Sequence, residues 1–564
     1  MIRNVSFQRK VLYLCGIALL LFPLYMIGRP ATSRSNDGAG DANARPGGTL
    51  ARLRVRYDLS QAELGDIDPA SESMKLATLG MRGVAANILW SKANEYKRTE
   101  NWEALIATVN QMARLQPNFI SVWEFQSHNL SYNISVEHDD YRFRYHWVKK
   151  GIEYLIKGVQ YNRNSPRLFW TLGWYTGQKF GRADEHKQFR VLFRDDEDFH
   201  NQLKEYVNVD EARGAYGDPD NWLVSRLWYL RAYNLVDRQG APLRGKSPHI
   251  FFADGPKSWM NYAAAIESEG ILDEQAEYAW SKGGEEWKAY GKRLVPTSWG
   301  VNIRLGDLGR LRAEVQKLRV ELDELIPGGR NAVVEEKKAK LTDAQRAALA
   351  KNLTEIDDEA EYRLHWKAVE LTAVSDREVA QHAPTRLRAK ANRLASDAMA
   401  ADENAERVER YRSNVNYAYW ATRCRVEQLP ETVAARRHVF AAKDKYDKGE
   451  LEAAEIEYNK AWDLWAKIVF QDNPELVQQL MADDLFEDVE QYVRMLGQLE
   501  KRLPADFKLM PLLEKFGEIP DDIKPKRGAA PKAKSSDNAD AEPPAPEAKS
   551  EHSDDPGPPE KAAL

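Results

Sequence analysis

Cysteine is nearly absent: the 564 residues hold two, Cys15 and Cys424. Cys15 lies inside an apolar run, so an internal disulfide is not expected. Disulfide-stapled secreted scaffolds and Cys-based zinc sites are excluded with it. A charge bias is lacking as well. Lys and Arg number 81 against 86 Asp and Glu, a formal net charge of -5. Nucleic-acid binding needs clustered excess Lys and Arg, so no nucleic acid is expected as a partner. Runs that alternate apolar and polar residues are scarce, which argues against a β-sheet architecture. No Gly-rich phosphate loop, Gly-x-Ser-x-Gly elbow or His-Glu-x-x-His helix occurs. Without them the phosphate, acyl-transfer and zinc chemistries those motifs serve have no sequence support. No cofactor is expected.

Large apolar and aromatic side chains are plentiful. Hydrophobic residues make up 43%, with 16 Trp and 24 Tyr, enough for more than one core. One uncharged run, Val11 to Ile27, has the length of a membrane span. Arg3, Arg9 and Lys10 precede it, so the positive-inside rule places the N-terminus in the cytoplasm and the rest beyond the membrane. No small-x-small cleavage site closes the run, and Cys15 sits in its middle rather than at a lipidation position.

The composition divides the chain into seven parts. Residues 1–10 form a cytoplasmic N-terminus and 11–28 a transmembrane anchor. Residues 29–49, rich in Gly, Ala, Asp and Pro, form a flexible linker. An N-terminal helical-repeat domain over 50–302 follows, then a coiled-coil-like helical arm over 303–415 and a C-terminal helical-repeat domain over 416–520. Residues 521–564 lack aromatics, are rich in Pro, Ala and charge, and read as a disordered tail. The expected fold class is therefore all-α: one transmembrane helix, then tetratricopeptide-like hairpins forming an α-solenoid.

The repeat signal is clearest from Ala86 to Phe119. Ala93 and Tyr96 fall in a first helix, Thr99-Glu100-Asn101 forms a turn, and Trp102, Leu105, Val109 and Met112 lie in a second helix that Pro117 ends. This resembles a tetratricopeptide repeat, in which small residues sit where two helices cross. Trp123 opens the next unit, which carries an insertion around Glu137 to Arg144. Leu172 and Gly173 belong to a third start. A weaker copy runs from Trp259 to Trp287, with Ala263, Gly270, Leu272 and Ala279 in register. Another runs from His438 to Pro474, with Gly449 at the turn and Ala454 and Ala461 in the second helix. In the arm, Leu308, Leu311, Val315, Leu318, Leu322 and Leu325 form a heptad seam ended by Pro327-Gly328-Gly329. Thr342 and Gln345 suit a capping box for a new helix through Leu349 and Leu353.

Stacked hairpins make a groove, and Asn87, Asn94 and Lys97 on the first helix are its candidate binding residues. Two His/Asp-rich segments compete for function. His138 and Asp140 lie in the first, and His186, Asp196 and His200 in the second. Carboxylates and imidazoles can ligate a divalent cation, but this spacing matches no calcium loop, and polar loops between helices account for both segments. Asn129-Leu130-Ser131 and Asn133-Ile134-Ser135 fit glycosylation sequons. The aromatic clusters at 170–175, 222–229 and 417–420 have helical spacing, which points to core.

Three segments together, LATLGMRGVAANILWSKAN (76–94), LQPNFISVWEFQSHNLSYNISVEHDDYR (115–142) and LGWYTGQKFGRADEHKQFR (172–190), resemble a family of membrane-anchored planctomycete proteins. Its members are often labelled "IRE (iron responsive element)". The resemblance covers nearly the whole chain except the tail. It implies a bacterial cell-envelope location with the main domain in the periplasm, which argues against glycosylation, and it transfers no catalytic residue.

The leading expectation is a membrane-anchored scaffold that binds a protein or peptide partner and is not an enzyme. An envelope enzyme or metal-dependent factor using the 137–146 and 184–200 segments is the rival. A purely structural envelope component is the third reading.

Overall fold

A computed structural model of the chain describes residues 82–513, apart from 244, 354, 355, 357, 475, 477–480, 505 and 512. The expected anchor at 11–28, its flanks at 1–10 and 29–49, and the tail at 521–564 lie outside the described residues, as do 50–81 and 514–520. Among the described residues the regular structure is almost entirely helical, and no helix is long and apolar enough to cross a membrane. The strands among them, β1 (Val295–Pro296) and β2 (Asn302–Ile303), form one short antiparallel ladder with Val295 opposite Ile303. The described residues fall into two compact units, 82–192 with 231–242, and 193–230 with 243–513.

The first unit is built from helical hairpins. Helices α1 (Arg82–Arg98) and α2 (Trp102–Leu115) form the first. Glu100 takes a left-handed φ of 54° at their turn, and Asn101 caps α2 by accepting from the Ala104 amide at 3.2 Å. Ala93 is fully buried, the small residue at the crossing. Helix α3 (Ile120–His128) runs on through a widened π turn, Asn129–Ile134, and pairs with α4 (Tyr141–Tyr161). A Cβ on Gly158 would come 2.7 Å from Trp123 Cγ, so this glycine lets α3 and α4 close on each other. Of the insertion expected around Glu137 to Arg144, residues 137–140 form the short turn before α4 and 141–144 are its first turn. Helix α5 (Pro166–Trp174) starts with Pro166 in its first turn behind the Ser165 cap, then widens into a second π turn, Tyr175–Lys179. Helix α6 (His186–Asp195) follows, and the division between the units falls within it.

The second unit takes in α7 (Glu197–Leu203), the first part of α8 (Asn221–Gln239), α9 (Pro248–Ser268) and α10 (Glu274–Lys292). Helices α9 and α10 form a hairpin turned by Gly270 at φ 95°, with Ala263 and Ala279 fully buried in the register the repeat pattern anticipates. Trp222, Trp228 and Tyr229 are core, as their spacing implied.

The arm is more divided than a single antiparallel pair. Its long elements are α11 (Leu308–Leu325) and α16 (Arg388–Asn414), joined through α12 (Gly329–Ala339), α13 (Asp343–Leu349), α14 (Glu359–Thr372) and α15 (Asp376–Gln381). Arg312 bonds Glu409 at 3.1 Å and Arg319 bonds Asp402 at 2.6 Å, which fixes α11 and α16 as antiparallel. The heptad seam turns Leu308, Val315 and Leu322 inward, and α16 offers a small-residue stripe of buried Ala391, Ala395, Ala398 and Ala405. Thr342 and Gln345 form the reciprocal capping box. The helix they start ends at Leu349 rather than passing through Leu353. Lys351 bonds the Ala348 carbonyl three residues back, so the last turn tightens and stops.

After α17 (Tyr417–Val426) come α18 (Pro430–Asp447), α19 (Leu451–Ala466) and α20 (Met481–Gln498). Gly449 turns the α18–α19 hairpin at φ 77°. Ala442, Ala454, Ala461 and Tyr458 are fully buried, and Trp465 and Ile468 continue the same core. Four charged groups are closed in nearby. Arg436 bonds both Glu427 oxygens, at 2.5 and 2.8 Å, Arg423 bonds Glu427 at 3.3 Å, and Trp280 donates to Glu267 at 2.9 Å.

Candidate functional site

The site lies in the first unit, on the face shared by the first helices of successive hairpins. Adjacency comes from ring contacts. Trp90 on α1 meets Phe125 on α3 at 5.0 Å, and Tyr132 on the π turn of α3 meets Trp174 on α5 at 6.2 Å. An ion pair to a buried carboxylate fixes the relative position of α3 and α5: Arg167 forks onto Glu124, with its Nε at 2.7 Å, and Thr171 donates to the same carboxylate at 3.2 Å. At the hairpin corners the Pro117 carbonyl accepts from Trp123 Nε1 and from Asn162, each at 2.8 Å.

On this scaffold six half-buried side chains line up. Lys97 places its amine 5.9 Å from the Phe125 ring centre. His128 stacks on Tyr132 at 4.6 Å with 10° between the planes. Lys179 lies 3.7 Å over the other partner of that stack, the Tyr132 ring, and Trp174 completes the row. Tyr132 and Lys179 both stand on π turns. A π turn adds one residue to the helical turn and re-aims the side chains it carries, which is why such turns collect at functional sites.

Electrostatics follow from burial. The His128 imidazole is pushed down to about 4, by burial first and then by Lys97 and Lys179, so it is neutral at pH 7. Burial also lowers the Lys179 amine to about 8, against the opposing pull of Glu185 and Asp184. Glu185 itself is ion-paired to Arg144. The face therefore offers aromatic surface, a neutral imidazole and two cations, which suits apolar side chains flanked by polar or anionic groups.

The residues singled out in the sequence fall as follows. Asn87 and Asn94 are exposed on α1 and Lys97 is half-buried on the same helix. Ala93, Leu172, Ala454 and Ala461 are fully buried, Pro117, Trp123 and Gly173 are buried, and Tyr96 and Trp102 are half-buried. Each metal candidate has a local role. The His138 carbonyl accepts from Arg144 Nε at 2.5 Å and its ring stacks on Trp147, while Asp140 caps α4. His186 Nδ1 meets the Ala183 carbonyl at 2.9 Å. Asp196 caps α7, and His200 is buried with its ring edge-on to Phe193 at 5.0 Å. Among the described residues no three His, Cys, Asp or Glu side chains are grouped to hold a metal ion. Both sequon asparagines stand on the α3 π turn, where Asn133 bonds Asn129 at 3.0 Å and Asn129 is buried.

Trp174 belongs to a cluster whose spacing points to core, but it is half-buried on this face, and repeat spacing does not single out Phe125, His128, Tyr132 or Lys179. Their signal was present as an aromatic and cationic stripe on successive first helices. The insertion after α3 and the π turns shift its phase, so a fixed 34-residue period does not align it. The chain matches no known family model and no curated protein.

Proposed function

We propose that this protein is a helical-repeat scaffold that holds a protein or peptide partner against the first-helix face of its first unit. The observation that carries the reading is the row formed by Lys97, Phe125, His128, Tyr132, Trp174 and Lys179 from three consecutive hairpins. Half-buried aromatic rings give contact area at little conformational cost, and flanking cations orient a chain laid along them. Stacked hairpins supply such a surface repeatedly, which single domains do not. The uncharged run at 11–27 with its preceding basic residues supports anchoring in a membrane, with this face outside the cytoplasm. The resemblance to membrane-anchored planctomycete proteins supports a bacterial cell envelope as the setting.

The test is site-specific photo-crosslinking in membranes carrying the full chain. A crosslinker at Asn94 should give a discrete adduct that disappears in Tyr132→Ala, and one at Lys157, exposed on a second helix, should not. Equal adducts at both positions, or an Asn94 adduct that survives Tyr132→Ala, overturn the proposal.

A further inference from the structure

Helices α15 and α16 enclose a surface hollow of about 590 Å³. Its walls are polar: Arg377 and Gln381, one turn apart on α15, face Arg388, Asn392 and Ser396, which form an i, i+4, i+8 stripe on α16. Ala395 and Met399 make the floor. Ala395 also belongs to a packed cluster with Val379, Ala380 and Ala391, so both walls stand on a fixed base.

Charge is unbalanced here for an identifiable reason. The two acids of α15 are engaged elsewhere. Asp376 is buried and accepts from Arg319 at 3.0 Å and Arg330 at 2.9 Å, while Glu378 accepts from Lys337 at 2.9 Å and closes a capping box with Ser375. No carboxylate lines the hollow. Among the described residues neither the Arg377 nor the Arg388 guanidinium has an ion-pair or hydrogen-bond partner. Arg388 is also the first residue of α16, a 27-residue helix with no side-chain cap, so the positive end of its dipole lies at the same edge.

We propose that this hollow binds a phosphate-bearing ligand through Arg377 and Arg388. Two guanidinium forks, two carboxamides, a hydroxyl and a helix end converge from different sides. A carboxylate presents two oxygens in one plane, whereas a phosphate presents three or more in space and can accept from all of these donors. The volume lies within the range of about 300–1,000 Å³ typical of small-molecule sites, so it takes more than an isolated phosphate ion. The phosphate group can come from a soluble phosphorylated molecule or from a lipid headgroup, and the chemistry of the site is common to both. This site is independent of the partner-binding face proposed above.

Calorimetric titration of the detergent-solubilised full chain with pyrophosphate and with glycerol phosphate tests the soluble source. Titration of the same chain with a short-chain phosphatidylglycerol, below its micelle concentration, against the matching phosphatidylcholine tests the lipid source. Saturable one-to-one binding of a soluble phosphate compound, or binding of the phosphatidylglycerol and not the phosphatidylcholine, is expected in at least one arm. Arg377→Gln and Arg388→Gln should each weaken it about tenfold, the usual effect of losing a charge-assisted contact. Ser396→Trp, which fills the hollow and keeps both arginines, should abolish it. Arg386→Gln, exposed and outside the hollow, should leave it unchanged. Melting temperatures of all four variants should match the parent, because these positions are exposed. No binding in either arm overturns the proposal, as does equal affinity for glutamate. A loss on Arg386→Gln as large as on Arg377→Gln also overturns it, as does unaltered binding in Ser396→Trp.

Discussion

The Lys179 amine lies 3.7 Å from the centre of the Tyr132 ring, and the His128 imidazole stacks on that same ring at 4.6 Å. A cation held against an aromatic face in a partly buried site loses hydration, and its amine is lowered to about 8. Lys179 therefore carries an appreciable free-amine fraction at pH 8, whereas an ordinary lysine carries very little. Limited acylation at pH 8 followed by peptide mapping should find Lys179 modified ahead of Lys157. Slower labelling of Lys179 than of Lys157 would show that the amine is not held in this way.

Ala93 is fully buried where α1 crosses α2, while Asn94 beside it is exposed. Ala93→Leu should destabilise the protein by about 1–3 kcal/mol, the usual result of overpacking a close crossing. Asn94→Ala and Lys97→Ala should leave the melting temperature nearly unchanged, and Lys97→Ala should weaken the adduct formed from a crosslinker at position 94. Calorimetric melting of the three variants separates these outcomes. An Ala93→Leu protein as stable as the parent would mean that the first hairpin is not packed at this point.

Arg436 forks onto Glu427, whose side chain is fully closed off from solvent. Arg436→Met removes one partner and leaves Glu427 with Arg423 alone, so denaturant unfolding should show a loss of about 3–5 kcal/mol. Replacing both, as Glu427→Leu with Arg436→Met, should recover part of that loss, since the fully buried carboxylate is removed and the buried Arg423 keeps its bond to the Tyr419 hydroxyl. A double variant as unstable as the single one would show that shape, not charge pairing, sets the cost.

Burial lowers His128 and His249 to about 4 each, and it lowers His200 as well. An unfolded histidine takes a proton near 6.5, so between 6.5 and 4 the unfolded chain binds more protons than the folded one. Stability from these residues is complete above pH 6.5 and is lost as pH falls towards 4. Glu267 works in the opposite sense. Burial and the neighbouring Glu427 push it up to about 7, so its contribution is largest at low pH and is lost as pH rises through 7. Melting temperatures from pH 4.5 to 8 should therefore fall more steeply towards acid in Glu267→Gln than in the parent, and less steeply in His128→Phe. Parallel profiles for all three would contradict the assignment.

Local chemistry determined a good deal of this protein by itself. Asn101, Asp140, Ser165 and Thr342 cap helices because a short polar side chain there satisfies free amides of the first turn. Gly270 and Gly449 turn their hairpins because glycine takes positive φ without strain. Ala93, Ala263 and Ala454 are buried because two helices crossing closely leave no room for a larger residue. The all-α class, the repeat register and the inward side of the heptad seam all follow from such spacing. The π turns at 129–134 and 175–179 are different, because they arise only when a helix carrying an extra residue must stay packed on its neighbours. They bring His128, Tyr132 and Lys179 together, and no fixed sequence period contains that convergence. The hollow beside α16 was equally hidden. Arg377 and Arg388 face it uncompensated only because Asp376 and Glu378 are drawn to Arg319, Arg330 and Lys337, partners 41 to 57 residues away along the chain.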